Sequence, residues 1–133
     1  MEFVTWCGLF KIGHPVIDQQ HRELFRIVNE FHDQLTRGQP SRVAIDTLNG
    51  LIKFAQEHFA DEEVISKEFG YPEEQQDRHR HIHEKLIYDI FDLHKEISGS
   101  ESIDLKSISN FLNQWIILHI LIEDNQYKAF LDH

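Results

Sequence analysis

A single cysteine, Cys7, stands in 133 residues. It permits no internal disulfide and excludes a thiolate metal cluster, and a chain without disulfides suits a reducing compartment such as the cytoplasm. Cys7 itself is expected to be a small buried hydrophobe. Basic residues are also few: 13 Lys and Arg face 23 Asp and Glu, a net charge of −10 with histidine neutral. That balance excludes nucleic acid and an anionic membrane surface as expected partners, because both select basic faces. No apolar run reaches the roughly 20 residues of a membrane span. The most apolar stretch, Trp115 to Ile122, is short and contains His119. Met1 to Trp6 lacks the basic start and long apolar core of a signal peptide. There is no strand-like alternation, internal repeat or low-complexity segment. The expectation is one domain over 1–133, with 41% apolar and 27% charged residues, as in ordinary soluble proteins.

What the chain does have is helical period. After a non-periodic arm, 1–17, with Gly8, Gly13 and Pro15, apolar residues Ile17, Leu24, Val28, Phe31 and Leu35 recur by threes and fours, and His21 fills the gap. Asp18 reads as an N-cap and Gly38 as a stop. After Pro40, Ser41 can cap a second helix with the stripe Leu51, Phe54, His58, Glu62, Ile65 and Phe69, ending at Gly70. Pro72 suits a first helical position for a third stripe, His79, His83, Leu86, Ile90, Leu93 and Ile97, broken by Ser98-Gly99-Ser100. Ser102 or Asp104 opens a fourth helix, with Ile108, Leu112, Trp115, His119 and Ile122 inward. Short loops between four such helices predict an all-α, antiparallel up-down-up-down four-helix bundle over 18–131, preceded by the N-terminal arm.

Five histidines and two carboxylates therefore sit on or beside apolar stripes: His21, His58, Glu62, His79, His83, His119 and Asp124. One buried histidine is usually a satisfied core residue. Seven buried polar groups from four helices need a shared partner, since each costs several kcal/mol when unpaired. His58 and Glu62, and likewise His79 and His83, are four apart, about 40° on a helix, so each pair can reach one ion. Imidazole with carboxylate suits iron, zinc, copper or nickel; seven ligands exceed a tetrahedral zinc site and fit two six-coordinate ions. Competing motifs fail. His83-Glu84 begins like a zinc-protease motif, but residue 87 is isoleucine. No glutamate has a histidine three residues on, which excludes the carboxylate-rich di-iron oxidase pattern.

These motifs resemble the hemerythrin family of bacteria, non-heme di-iron proteins that bind O₂, over nearly the whole chain. Trp6, Gly13 and the run Ile17-Asp18-Gln19-Gln20-His21-Arg22-Glu23-Leu24 are similar to the family's opening signature. His58 to Glu62, His79 to His83 and His119 to Asp124 match its three further ligand motifs. The resemblance implies one iron held by His79, His83 and His119, the other by His21 and His58, with Glu62, Asp124 and an oxo or hydroxo group bridging both. The second iron keeps an open position for O₂. By the same resemblance Leu24, Trp115, Ile116 and Ile120 line the O₂ pocket; as apolar residues on helical stripes they are equally well read as plain core.

Two positions depart from the pattern. About two extra residues precede His79, and Asp77 stands near where the family places its first histidine. On a regular helix Asp124 lies about 140° from His119, whereas Glu123 lies only about 40° away, so geometry prefers Glu123 and the family pattern Asp124. A π-type widening would bring residue 124 round. The function implied is reversible O₂ binding, for carriage or storage, and not catalysis. The alternative is an O₂- or redox-sensing input domain whose signalling output module belongs to a longer parent chain. The end Leu131-Asp132-His133 is compatible with such a cut edge. His14, His32, His81, His94 and His133 read as surface residues, and the acidic run 57–63 as a solvated face apart from Glu62.

Overall fold

Four amphipathic stripes can bury themselves only against one another, and in the computed structural model they do. It describes residues 3–37, 41–99 and 104–131. Helix α1 spans Pro15–Thr36, α2 Ser41–Glu68, α3 Glu73–Gly99 and α4 Leu105–Ile117. A six-residue π-helical turn, Leu118–Glu123, continues α4, followed by a 3₁₀ turn, Asp124–Tyr127, and a short helix α5, Lys128–Leu131. The main helices form the expected antiparallel bundle, with no strand among the described residues. Gly38, Pro40, Ser100, Ser102, His133 and the inward side chain expected for Ile122 lie outside the described residues.

The first helix starts three residues earlier than its period suggests. Pro15 supplies a preset φ in the first turn, and His14 caps it, its Nδ1 accepting from the Ile17 N–H at 3.5 Å. Asp18 is therefore not the cap. Its buried carboxylate reaches back to the arm and accepts from the N–H groups of Ile12, at 2.8 Å, and Gly13, at 3.1 Å. Gly13, with φ 104°, makes the turn that permits this. Cys7 is exposed, not buried, because its neighbours Trp6 and Phe10 take the inward positions and pack on Phe25.

Gly70 ends α2 in a Schellman arrangement. Its φ is 88°, its N–H bonds to the Lys67 carbonyl, and the Tyr71 N–H bonds to the Ser66 carbonyl. This returns the chain at once, so that α3 begins at Glu73 with the Pro72 carbonyl accepting from Gln76. At the start of α4 Asp104 caps, its Oδ1 accepting from the Ser107 N–H.

Two apolar clusters fill the bundle. The larger contains Leu24, Val28 and Phe31 of α1, Leu48 to Phe59 of α2, Leu86 to Ile97 of α3, and Ile108 to Ile120 of the fourth helix and its π turn. The smaller, Ile12, Ile17, Tyr71 and Tyr127, closes the other end. Along α1, His21 falls between Ile17 of the smaller cluster and Leu24 of the larger, and along α2 Glu62 falls between Phe59 of the larger and Ile65, which packs on the smaller. The polar layer thus has apolar material above and below it.

Candidate metal centre

All seven residues singled out as ligands meet in that layer, each no more than 3% exposed. Their nitrogen and oxygen atoms form two overlapping groups whose members lie within 4.8 Å of one another. One is His21, His58, Glu62, His119 and Asp124; the other is Glu62, His79, His83 and Asp124. Glu62 and Asp124 belong to both, which is the position of a bridging carboxylate.

The arrangement is not a satisfied hydrogen-bond network. Glu62 Oε2 lies 2.8 Å from His58 Nε2 and 3.5 Å from His21 Nε2, yet hydrogen-bonds to neither. Asp124 Oδ2 lies 2.8 Å from His21 Nε2 and 2.7 Å from His119 Nε2, again with no hydrogen bond. The other oxygens of the same carboxylates, Glu62 Oε1 and Asp124 Oδ1, are held by His79 and His83, so one oxygen of each acid is left over. Buried polar atoms without partners are rare and costly. Shared cations between them would satisfy Glu62 Oε2, Asp124 Oδ2 and the equally unpartnered His21 Nε2, and five imidazoles with two carboxylates are an iron donor set. The residues present fit a di-iron centre.

Charge follows the same geometry. Burial opposes protonation of His21 and His79, but the adjoining Asp124 and Glu62 outweigh it and lift His21 to about 9 and His79 to about 10. Burial likewise opposes, and Glu62 with Glu63 overcomes, at His83, which rises to about 9. His58 stays below the ordinary histidine value, because burial outweighs its contact with Glu62. Burial pushes both carboxylates up, yet the surrounding imidazoles hold Glu62 and Asp124 below the usual range.

The π turn decides which acid enters. The Asp124 N–H bonds to the His119 carbonyl, five residues back, and Asp124 is fully buried in the centre. Glu123 turns away to Arg78. Asp77 is exposed and pairs with Arg80, so the two extra residues before His79 leave the 79/83 register intact. In one respect the structure departs from the resemblance. His119 Nε2 sits with His21 and His58 instead of with His79 and His83, at 3.2 Å from His58 Nε2. On that side it also lies 2.7 Å from Asp124 Oδ2.

Several partners of these ligands escaped the sequence reading. The His58 Nδ1–H donates to Gln20 Oε1 at 2.7 Å, and the Gln20 amide donates to Asp61 at 2.9 Å. The His83 Nδ1–H donates to Glu63 Oε2 at 3.1 Å, so Glu63 is not simply a solvated acid. Tyr127 donates to Glu62 Oε1 at 3.1 Å and stacks on His79. Burial and the two carboxylates push its phenol well up, which keeps it a donor. Only Tyr127 carried a signal, its offset of three from Asp124; Gln20 and Glu63 are the immediate neighbours of stripe residues, where periodicity is silent. Among the histidines read as surface residues, His81 is exposed, but His14, His32 and His94 are half-buried, His32 stacked on Phe3 at 3.9 Å with its Nε2 2.9 Å from Ser109 Oγ.

On the side of the larger cluster Leu24, Trp115, Ile116 and Ile120 are all buried. The Trp115 N–H is spent on the Leu86 carbonyl at 3.0 Å, so its ring offers only an apolar face. A cleft between α2 and α3, lined by Gln56, Phe59, Glu63, Arg80 and His83 among others, reaches the outer edge of the layer. No described helix is long and apolar enough to cross a membrane.

Comparison with known proteins agrees with this geometry. Bacteriohemerythrin of Methylococcus capsulatus is 29% identical over 98% of both chains, and that of Stenotrophomonas maltophilia 29% identical over 96% of this chain and 80% of its own. Myohemerythrin of Theromyzon tessulatum is 27% identical over 95% of this chain and 92% of its own. The crystal structure of a hemerythrin point mutant superposes with a TM-score of 0.85 at 28% identity, covering both chains completely. The family model described as the hemerythrin HHE cation binding domain matches residues 13–131, and the chain belongs to that family.

Proposed function

We propose that this protein binds O₂ reversibly at a di-iron centre held by His21, His58, Glu62, His79, His83, His119 and Asp124. The observation that carries the reading is the pair of donor groups sharing Glu62 and Asp124, with unpartnered buried oxygens between them. Glu62 and Asp124 would be shared by the two ions, and the five imidazoles would divide three and two between them, leaving one ion short of a protein ligand. When bound, the iron pair would supply a site for O₂ and the electrons that O₂ takes up and gives back.

The chain's own residues make such binding reversible. Leu24, Trp115, Ile116 and Ile120 form an apolar wall that excludes water and anions from the centre, and none of them offers a proton. The Tyr127 hydroxyl is held on Glu62 within the opposite apolar cluster. Gln20 and Glu63 fix the tautomer and tilt of His58 and His83. A dry pocket without a free proton donor supports binding and not turnover. The single domain over the whole chain and a cytoplasmic setting are parts of the same proposal.

The test is an anaerobic-to-air optical titration of the reduced protein, with iron counted on the same sample. Two irons per chain and a visible absorption band that appears on aeration and reverses on degassing are expected. A chain that takes up little iron after reconstitution and shows no band would refute the assignment. A band that decays at once to the ferric state would point to sensing rather than carriage.

A further inference from the structure

We propose that Arg78 selects the carboxylate that enters the centre, acting as a positioning residue that holds Glu123 out and so lets Asp124 in. The inference rests on the ligand set proposed above and adds a residue to it.

A regular α-helix running on from α4 would carry Glu123 round to the face of His119, four residues before it, and leave Asp124 pointing elsewhere. The opposite is found. The segment widens at Leu118–Glu123, Asp124 takes the inner place, and Glu123 leaves it. A π turn is uncommon and must be offset by something in its surroundings. Glu123 shows what offsets it. This residue is only 6% exposed, so its carboxylate needs a partner wherever it lies. Two partners are within reach of this turn: the imidazole cluster, or the guanidinium of Arg78.

Arg78 grips it with both prongs, Nη1 to Oε2 at 2.9 Å and Nη2 to Oε1 at 3.2 Å. A fork of this kind fixes orientation as well as charge. Arg78 is the residue before His79 on α3, and its side chain is 55% exposed, so its own desolvation is small. The pair therefore ties the π turn to the helix that carries two of the imidazoles, one residue from a ligand at each end. With Glu123 satisfied there, the widened register has no orphaned acid, whereas in the regular register Glu123 would displace Asp124 from the centre.

This makes an unusual demand on a double variant. Asp124→Ala should lose more than half of the wild-type iron, because Glu123 stays clamped and cannot replace the missing bridge. Arg78→Met in the same chain frees Glu123, the turn relaxes to the regular register, and iron content climbs back towards wild type. Arg78→Lys with Asp124→Ala should stay iron-poor, since lysine still holds the acid. Iron per chain after anaerobic ferrous reconstitution is the readout, with helicity by circular dichroism on each variant; Asp124→Asn replaces Asp124→Ala if the latter does not fold. A residue with a merely structural role predicts that the double variant is worse than the single. Iron in the Arg78→Met double variant no higher than in Asp124→Ala overturns the inference while leaving the di-iron reading intact. Wild-type protein without two irons, or Asp124→Ala with full iron, would instead overturn the ligand set on which it rests.

Discussion

Asp18→Ala should loosen the N-terminal arm and with it the cover over the centre. The carboxylate takes two backbone N–H groups at once, from Ile12 and Gly13, where the arm turns into α1. The arm in turn carries Trp6, whose ring packs edge-on against Phe25 at 5.4 Å and lies 6.5 Å from His21. Ile12 is 2% exposed, so its N–H would be left buried and unpaired; Gly13 is exposed, and its N–H can turn to water. One full charge-assisted hydrogen bond and part of another amount to about 2–4 kcal/mol. For a chain of 133 residues an unfolding entropy of about 2.1 cal/mol/K per residue converts this to a Tm lower by about 7–14 °C. Asn29 still holds Val4 through two hydrogen bonds, so the arm should open in its middle and not come away whole. Thermal unfolding and amide hydrogen exchange, both with iron loaded, test this. The amides of Ile12 and Gly13 should lose protection, and the O₂ adduct should decay faster as water reaches the His21 side. Unchanged exchange at those two amides together with a Tm within about 2 °C of wild type would refute the anchoring role.

Glu63→Gln replaces the carboxylate on His83 Nδ1 with a neutral amide, making the imidazole a weaker donor to iron. The midpoint potential should rise and autoxidation slow, read by redox titration and by the decay of the oxygenated band; an unaltered potential would show that Glu63 does not tune the centre. The pH dependence of the metal-free protein, prepared by chelation, has a definite sign. His21, His79 and His83 have raised values in the folded chain, about 9, 10 and 9, so their stabilisation is full below the ordinary histidine range and is lost as pH rises through about 9–10. Tm should therefore fall between pH 7 and 10, and a flat or rising Tm over that interval contradicts the charge balance drawn for the layer.

The fold was legible because its elements follow from local rules. The stripe His79, His83, Leu86, Ile90, Leu93, Ile97 coincides with the buried residues of α3, and Gly70 stops α2 for the reason its lack of a side chain suggests. The cluster was legible for a related reason: seven polar groups on apolar stripes violate binary patterning, and such violations mark functional sites. The start of α1 was misjudged because two local signals competed. Asp18 has the chemistry of a cap, but Pro15 fixed the first turn, and the carboxylate found tertiary donors in the arm instead. Cys7 and His32 went astray because their burial depends on which neighbours face the core, which no periodicity governs in an arm or at a stripe's edge.

The choice between Glu123 and Asp124 marks where sequence reasoning by helical period ends. Counting at 100° per residue favours Glu123, and nothing within 118–124 contradicts it. The deciding contact is with Arg78, 45 residues away along the chain, on a different helix. A π turn has no local signature here, because what stabilises it is the satisfaction of one carboxylate by the bundle and of another by a guanidinium across it. The same holds for Gln20 and Glu63, which sit beside His21 and Glu62 in sequence but serve His58 and His83 on neighbouring helices. The residues proposed as ligands are thus written along each helix, while the groups that orient them are written across helices, and only packing brings those together.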